Sequence, residues 1–126
     1  MCGIFGYIGH QQALPILVEG LRRLEYRGYD STGVAVDDGH RVQTHKTVGK
    51  VADLKAILPE TVSGTRGIAH TRWATHGGVT QVNTHPHVSA DESIHLVHNG
   101  IIENYQHLRR GLAARGVECV SETDSE

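Results

Sequence analysis

The sequence predicts an α+β fold, a layered arrangement of strands and helices. Three observations predict it. Apolar residues recur at three- and four-residue steps in two long stretches, 11–26 and 101–115, as a helix face requires. Short alternating or β-branched runs fill much of the remainder. Glycine supplies 15 of 126 residues, against a usual share of about 7%, so tight turns and close backbone approaches are numerous.

Taken in order, residues 2–9 form a first strand loosened by Gly3, Gly6 and Gly9. Residues 11–26 form a helix whose stripe is Leu14, Leu17, Val18, Leu21 and Leu24, with Pro15 in its first turn and Gly28 at its stop. Residues 32–37 and 41–47 read as a hairpin about Asp38-Gly39. A short helix covers 51–58, ended by Pro59, and a loop runs over 60–66. A strand at 67–72 leads into a long loop, 73–92, and loops of that length in compact domains usually serve function. A strand at 93–98 ends at Asn99-Gly100. The second long helix, 101–115, carries Tyr105, Leu108 and Leu112 and stops at Gly116. A last strand is predicted at 117–121, with Cys119 buried in it. The polar stop that follows it suggests the N-terminal part of a longer domain.

The length suits one domain with a modest core. A net charge of −2 and a pI near 6.5 give no basic footprint for nucleic acid. No apolar run approaches a membrane span and no secretory signal opens the chain, so a cytoplasmic protein without membrane contact is expected. Two cysteines make no disulfide framework. Neither nucleotide-binding glycine fingerprint occurs, and no cofactor is implied. His85-x-His87 and His95-x-x-His98 invite a metal, but no Cys or carboxylate set at zinc spacing accompanies them, so no metal is expected.

Chemistry concentrates at Cys2. Removal of Met1 would leave a thiol and a free α-amine on one residue. Such groups ordinarily titrate at about 8.5 and about 8, which pairs a soft nucleophile with its own base. Taken alone, Cys2 reads as a small residue ahead of a strand. Three downstream motifs alter the balance: Leu21 to Ser31 (LRRLEYRGYDS), His70 to Gly77 (HTRWATHG) and His98 to Asn104 (HNGIIEN).

With Cys2-Gly3-Ile4-Phe5-Gly6, these motifs resemble, in order and over essentially the whole chain, the class II glutamine amidotransferases, which are N-terminal nucleophile hydrolases. The Glu25 to Ser31 run is most similar to the branch that makes glucosamine 6-phosphate from fructose 6-phosphate. The resemblance implies a four-layer α-β-β-α sandwich with the nucleophile on a central strand. Residues 1–126 would be its N-terminal portion, and the sugar-phosphate isomerase domain would lie outside it. It implies L-glutamine as substrate, fructose 6-phosphate as acceptor in that other domain, and a homodimer for the whole protein.

The same resemblance assigns roles. Cys2 would attack the side-chain amide of glutamine. Asn99 and the Gly100 N–H would hold the oxyanion, although Asn-Gly alone reads as a turn. Arg72 would fork the α-carboxylate and Asp124 would hold the α-ammonium, with Thr75 and His76 adding contacts. Arg27 would support the N-terminal strand and the site's electrostatics. Trp73 would gate an ammonia path, and His87 would orient a loop. Three alternatives stand beside this: a non-catalytic glutamine-binding or structural piece, another member of the class, and a His-rich metal module.

Overall fold

A computed structural model describes residues 1–75 and 77–126. Along the chain come β1 (Gly3–Ile8), α1 (Ala13–Leu24), a 3-10 turn (Glu25–Arg27), β2 (Ser31–Asp37), β3 (Val42–Val48), α2 (Val51–Ile57), β4 (Arg66–Arg72), β5 (His87–Val88), β6 (His95–Leu96) and α3 (Tyr105–Ala114). Among these residues no helix is long and apolar enough to cross a membrane.

Four strands form one antiparallel sheet in the order β1-β4-β2-β3. Side chains alternate across a strand, so the register sorts them onto two faces. Phe5, Tyr7, Val34, Val36 and Ala69 point to one face. There they meet Leu17, Val18 and Leu21 of α1 and Val51 and Leu54 of α2 in a single apolar core. Gly20 is part of that fit, because a Cβ there would collide with the Phe5 ring. Glu25 ties the layer together: its carboxylate accepts from the Val51 N–H, 2.7 Å away, at the start of α2. The buried face of α1 is Ala13, Leu17, Val18, Gly20 and Leu21, with Leu14 and Leu24 only half-buried.

The opposite parity places Ile4, Gly33, His70 and Arg72 on the helix-free face, in line with the register pairs Ile4↔His70 and Gly33↔His70. The chain crosses this face at His85-Pro86, joined by a cis peptide bond. It passes over Gly33, where a Cβ would overlap the His85 carbonyl and lie 3.0 Å from Pro86 Cδ. Lys46 of β3 anchors the crossing through Nζ to the Thr84 and Pro86 carbonyls, at 2.9 and 3.3 Å.

Three expectations need correction. The predicted strand 93–98 is ordered as a ladder only at His95–Leu96, paired with His87–Val88 inside the predicted loop. Strands persist only where a neighbour accepts their hydrogen bonds. Residues 117–121 form no strand. The Val120 and Ser121 N–H groups go to the Glu126 carboxylate, at 2.8 and 2.6 Å, while Arg109 takes the Cys119 and Ser121 carbonyls, at 3.0 and 2.6 Å. Cys119 is therefore half-buried rather than in a strand interior, and partial burial still pushes its thiol up. The helix predicted from 101 begins at Tyr105. It keeps its Gly116 stop, with φ +81° and the Gly116 N–H on the Ala113 carbonyl.

Candidate active site

The register Gly3↔Thr71 brings Cys2 alongside Arg72 where β1 meets β4, and β1 is an edge strand of this sheet rather than the central strand that the resemblance implied. The Cys2 thiol is clasped by the backbone of the next residue, accepting from the Trp73 N–H (3.2 Å) and reaching the Trp73 carbonyl (3.4 Å). Both Cys2 and Arg72 line one cleft, together with Trp73, Thr75, His85 and His98. Asn99, Gly100 and the segment Thr123-Asp124-Ser125 close it.

The histidine-rich loops fold back to build this cleft. His87 Nε2 meets the Thr123 hydroxyl at 2.8 Å, and His98 Nδ1 meets the Ser125 hydroxyl at 3.0 Å. Those two bonds tie the C-terminal segment to the cleft. Asp124 then turns its carboxylate to the Ile102 N–H, 2.7 Å away, just beyond Asn99-Gly100. Arg72 is buried, and its Nη1 donates to the Gly78 carbonyl at 3.0 Å. A guanidinium and a carboxylate thus sit in one small cleft with a thiol and an amide. That set suits a small zwitterion presenting an electrophilic carbon.

His70, His85 and His87 are neutral at pH 7. Burial drives His70 and His87 down to about 4, and burial above all, with the Arg72 guanidinium nearby, drives His85 down to about 2. His70 and His85 stack at 4.3 Å, and His85 meets His87 edge-on at 4.5 Å.

Comparison with known proteins gives this arrangement a family. The model of the glutamine amidotransferase domain matches residues 52–126. The chain belongs to the glutamine amidotransferase family. It is 56% identical over its whole length to a glutamine–fructose-6-phosphate aminotransferase (isomerizing) of Bacteroides thetaiotaomicron, and 54% identical to that of Clostridium perfringens. It covers 21% of each, and so spans about a fifth of the curated relatives it matches. Among solved structures it resembles the glutamine phosphoribosylpyrophosphate amidotransferase of B. subtilis, with TM-score 0.79 and 28% identity over 99% of this chain and 28% of that one. A second structure, an allosteric regulatory enzyme of purine biosynthesis, gives TM-score 0.84 and 29% identity at the same coverage. These neighbours bear out the α+β fold and its N-terminal nucleophile type.

Most site residues predicted from the amidotransferase resemblance meet in the cleft: Cys2, Arg72, Trp73, Thr75, Asn99, Gly100 and Asp124. Trp73 is half exposed and packs on Gly28, where φ is +96° and a Cβ would stand 2.9 Å from the ring. Arg27 lies beside the N-terminus: its carbonyl accepts from the Met1 ammonium at 2.7 Å, and its Nη2 lies 3.7 Å from Met1 Sδ. His87 sits behind the cleft on Thr123. His76 lies outside the described residues.

Several supporting residues escaped the sequence reading. Asp30 accepts from the Ala74 N–H and the Ser31 hydroxyl, and its own N–H donates to the Arg72 carbonyl, so it braces the Arg72-Trp73-Ala74 bend. Asn83 is buried. Its Nδ2 donates to the Gly78 carbonyl (3.0 Å) and the Glu122 carboxylate (2.9 Å), and its Oδ1 accepts the Glu122 N–H (2.8 Å). It couples the loop that holds Arg72 to the segment that holds Asp124. An Asn in a loop reads as turn chemistry, so nothing local signalled this role.

Proposed function

We propose that this chain is the glutamine-hydrolysing portion of an enzyme that delivers ammonia to fructose 6-phosphate. One observation carries the proposal: Cys2, one Met from the N-terminus, shares a cleft with an amide donor, a guanidinium and a carboxylate. The relatives' names supply the acceptor sugar phosphate, and the remainder of such a protein would bind it, isomerise the product to glucosamine 6-phosphate and form the dimer.

Removal of Met1 frees the Cys2 α-amine. The amine takes the thiol proton, and the thiolate attacks the side-chain amide carbon of glutamine. Charge gathers on the former carbonyl oxygen, where the Asn99 amide and the Gly100 N–H donate. Collapse returns a proton from the ammonium to the leaving nitrogen, releasing ammonia and a γ-glutamyl thioester. Water then attacks with the amine as base, giving glutamate and the free thiol. Arg72 and Asp124 hold the α-carboxylate and α-ammonium throughout, and Thr75 and Trp73 border the bound molecule.

Glutaminase activity of the full-length protein tests this. Cys2→Ala should abolish glutamate release while glutamine still binds. Release at the wild-type rate from Cys2→Ala would overturn the assignment.

A further inference from the structure

His70 opens the His70 to Gly77 motif, yet the mechanism above gives it nothing to do. It lies on β4, centred in the sheet, and is 1% exposed. Its flanking partners across the ladders are Ile4 and Gly33. The absent side chain at Gly33 admits the His85-Pro86 crossing, and the His85 ring lies flat on His70 at 4.3 Å and 29°. The His70 ring is thus wedged, and its Nε2 stands 2.7 Å from Asn99 Oδ1.

We propose that His70 decides which end of the Asn99 amide faces Cys2: its Nε2–H donates to Asn99 Oδ1, leaving the Asn99 Nδ2 hydrogens for the oxyanion. The proposal rests on Asn99 serving as an oxyanion donor, as in the function above. A primary amide has one acceptor end and one donor end, nearly equal in shape. A ring nitrogen lacking its hydrogen would draw Nδ2 instead and turn Oδ1 toward the cleft. There it would repel the developing negative charge rather than stabilise it. His70 is accordingly a positioning residue: it touches Asn99, not the substrate. Burial keeps the ring neutral down to about pH 4, so over the working range it carries a single N–H, which the proposal places on Nε2.

The test uses the full-length protein and four variants: His70→Phe, His70→Gln, Asn99→Ala and the double variant His70→Phe/Asn99→Ala. Three quantities are read: kcat, KM for glutamine, and inhibition by glutamate γ-semialdehyde, with L-glutamate as control. The aldehyde adds to the Cys2 thiolate as a hemithioacetal whose oxygen occupies the oxyanion position. His70→Phe should lower kcat roughly 10–100-fold and weaken the aldehyde by a similar factor, part of the loss typical of a missing oxyanion donor. KM and glutamate binding should stay within about threefold. His70→Gln, whose amide nitrogen falls near the Nε2 position, should recover most of kcat. In the Asn99→Ala background His70→Phe should add nothing. If Phe prevents folding, His70→Asn, too short to reach Asn99, takes its place with the same expectations. Equal weakening of aldehyde and glutamate, or additive losses in the double variant, would overturn the proposal. If the wild type turns over and His70→Phe matches it, only this proposal falls. A wild type that neither turns over nor is labelled at Cys2 removes the functional reading, and this proposal with it.

Discussion

Mild acid should unfold this domain through three histidines, well before its carboxylates titrate. His70, His85 and His87 are 1–5% exposed, and burial holds them at about 4, about 2 and about 4 against an ordinary 6.5. A base whose folded pKa is lowered binds its proton more readily in the unfolded chain. Its stabilisation is complete above pH 6.5 and is lost as pH falls from there toward the folded value. Each such histidine costs about 1.4 kcal/mol per pH unit once inside that window. Between pH 7.5 and 5.5 the three together remove about 4 kcal/mol, a large part of the stability of a domain this size. Half-buried His45 is lowered too and acts in the same direction. The lowered carboxylates of Asp37, Asp38 and Asp91 lose their stabilisation only as pH falls below their unfolded values near 4, so they leave this interval clean. Urea unfolding midpoints at half-unit pH steps measure the effect. The midpoint should fall continuously below pH 7 with little change in slope m, and His85→Phe should flatten the dependence by about a third. A midpoint constant from pH 7.5 to 5.5 would refute the claim that these rings are buried and neutral.

Other expectations concern single contacts. Arg72→Lys should raise the glutamine KM about tenfold or more with a smaller change in kcat, because a point charge replaces a planar fork. Asn83→Leu should destabilise by about 2–3 kcal/mol in urea unfolding and raise KM, since it removes the acceptor of the Glu122 N–H and loosens the Asp124 segment from the Arg72 loop. Gly28→Val should cost about 1–2 kcal/mol for its positive φ and red-shift the emission of Trp73, the sole tryptophan, by lifting it off Gly28. An unshifted spectrum in a folded variant would contradict that packing.

Much of the fold was legible because its signals are local. The apolar step of residues 13–24, the Asp38-Gly39 turn between β2 and β3, and Pro59 after α2 each need only neighbouring residues to act. The segments at 93–98 and 117–121 have strand-like composition, but composition does not supply a neighbouring strand. Only His95–Leu96 found one, and Glu126 captured the amides of Val120 and Ser121 instead. At the site, the thiol and amine of Cys2 are visible in one residue, but only the downstream motifs made a nucleophile of it rather than a small residue ahead of a strand. The pairing of Arg72 with Asp124 was readable only through family resemblance, because 51 positions separate them along the chain. His70, Asp30 and Asn83 were hidden for a common reason: each acts through a contact created by a distant loop. His70 needs the vacancy at Gly33 and the ring of His85 before it can aim at Asn99.

The most direct measurement treats the full-length protein with a glutamine-analogue electrophile and locates the adduct by peptide mass. The account predicts one adduct, on the sulfur of a peptide that begins at Cys2, with Met1 gone and glutamate release silenced in proportion. Glutamate release that continues while Met1 still caps the Cys2 amine, or inactivation that maps to Cys119 with Cys2 untouched, would contradict it.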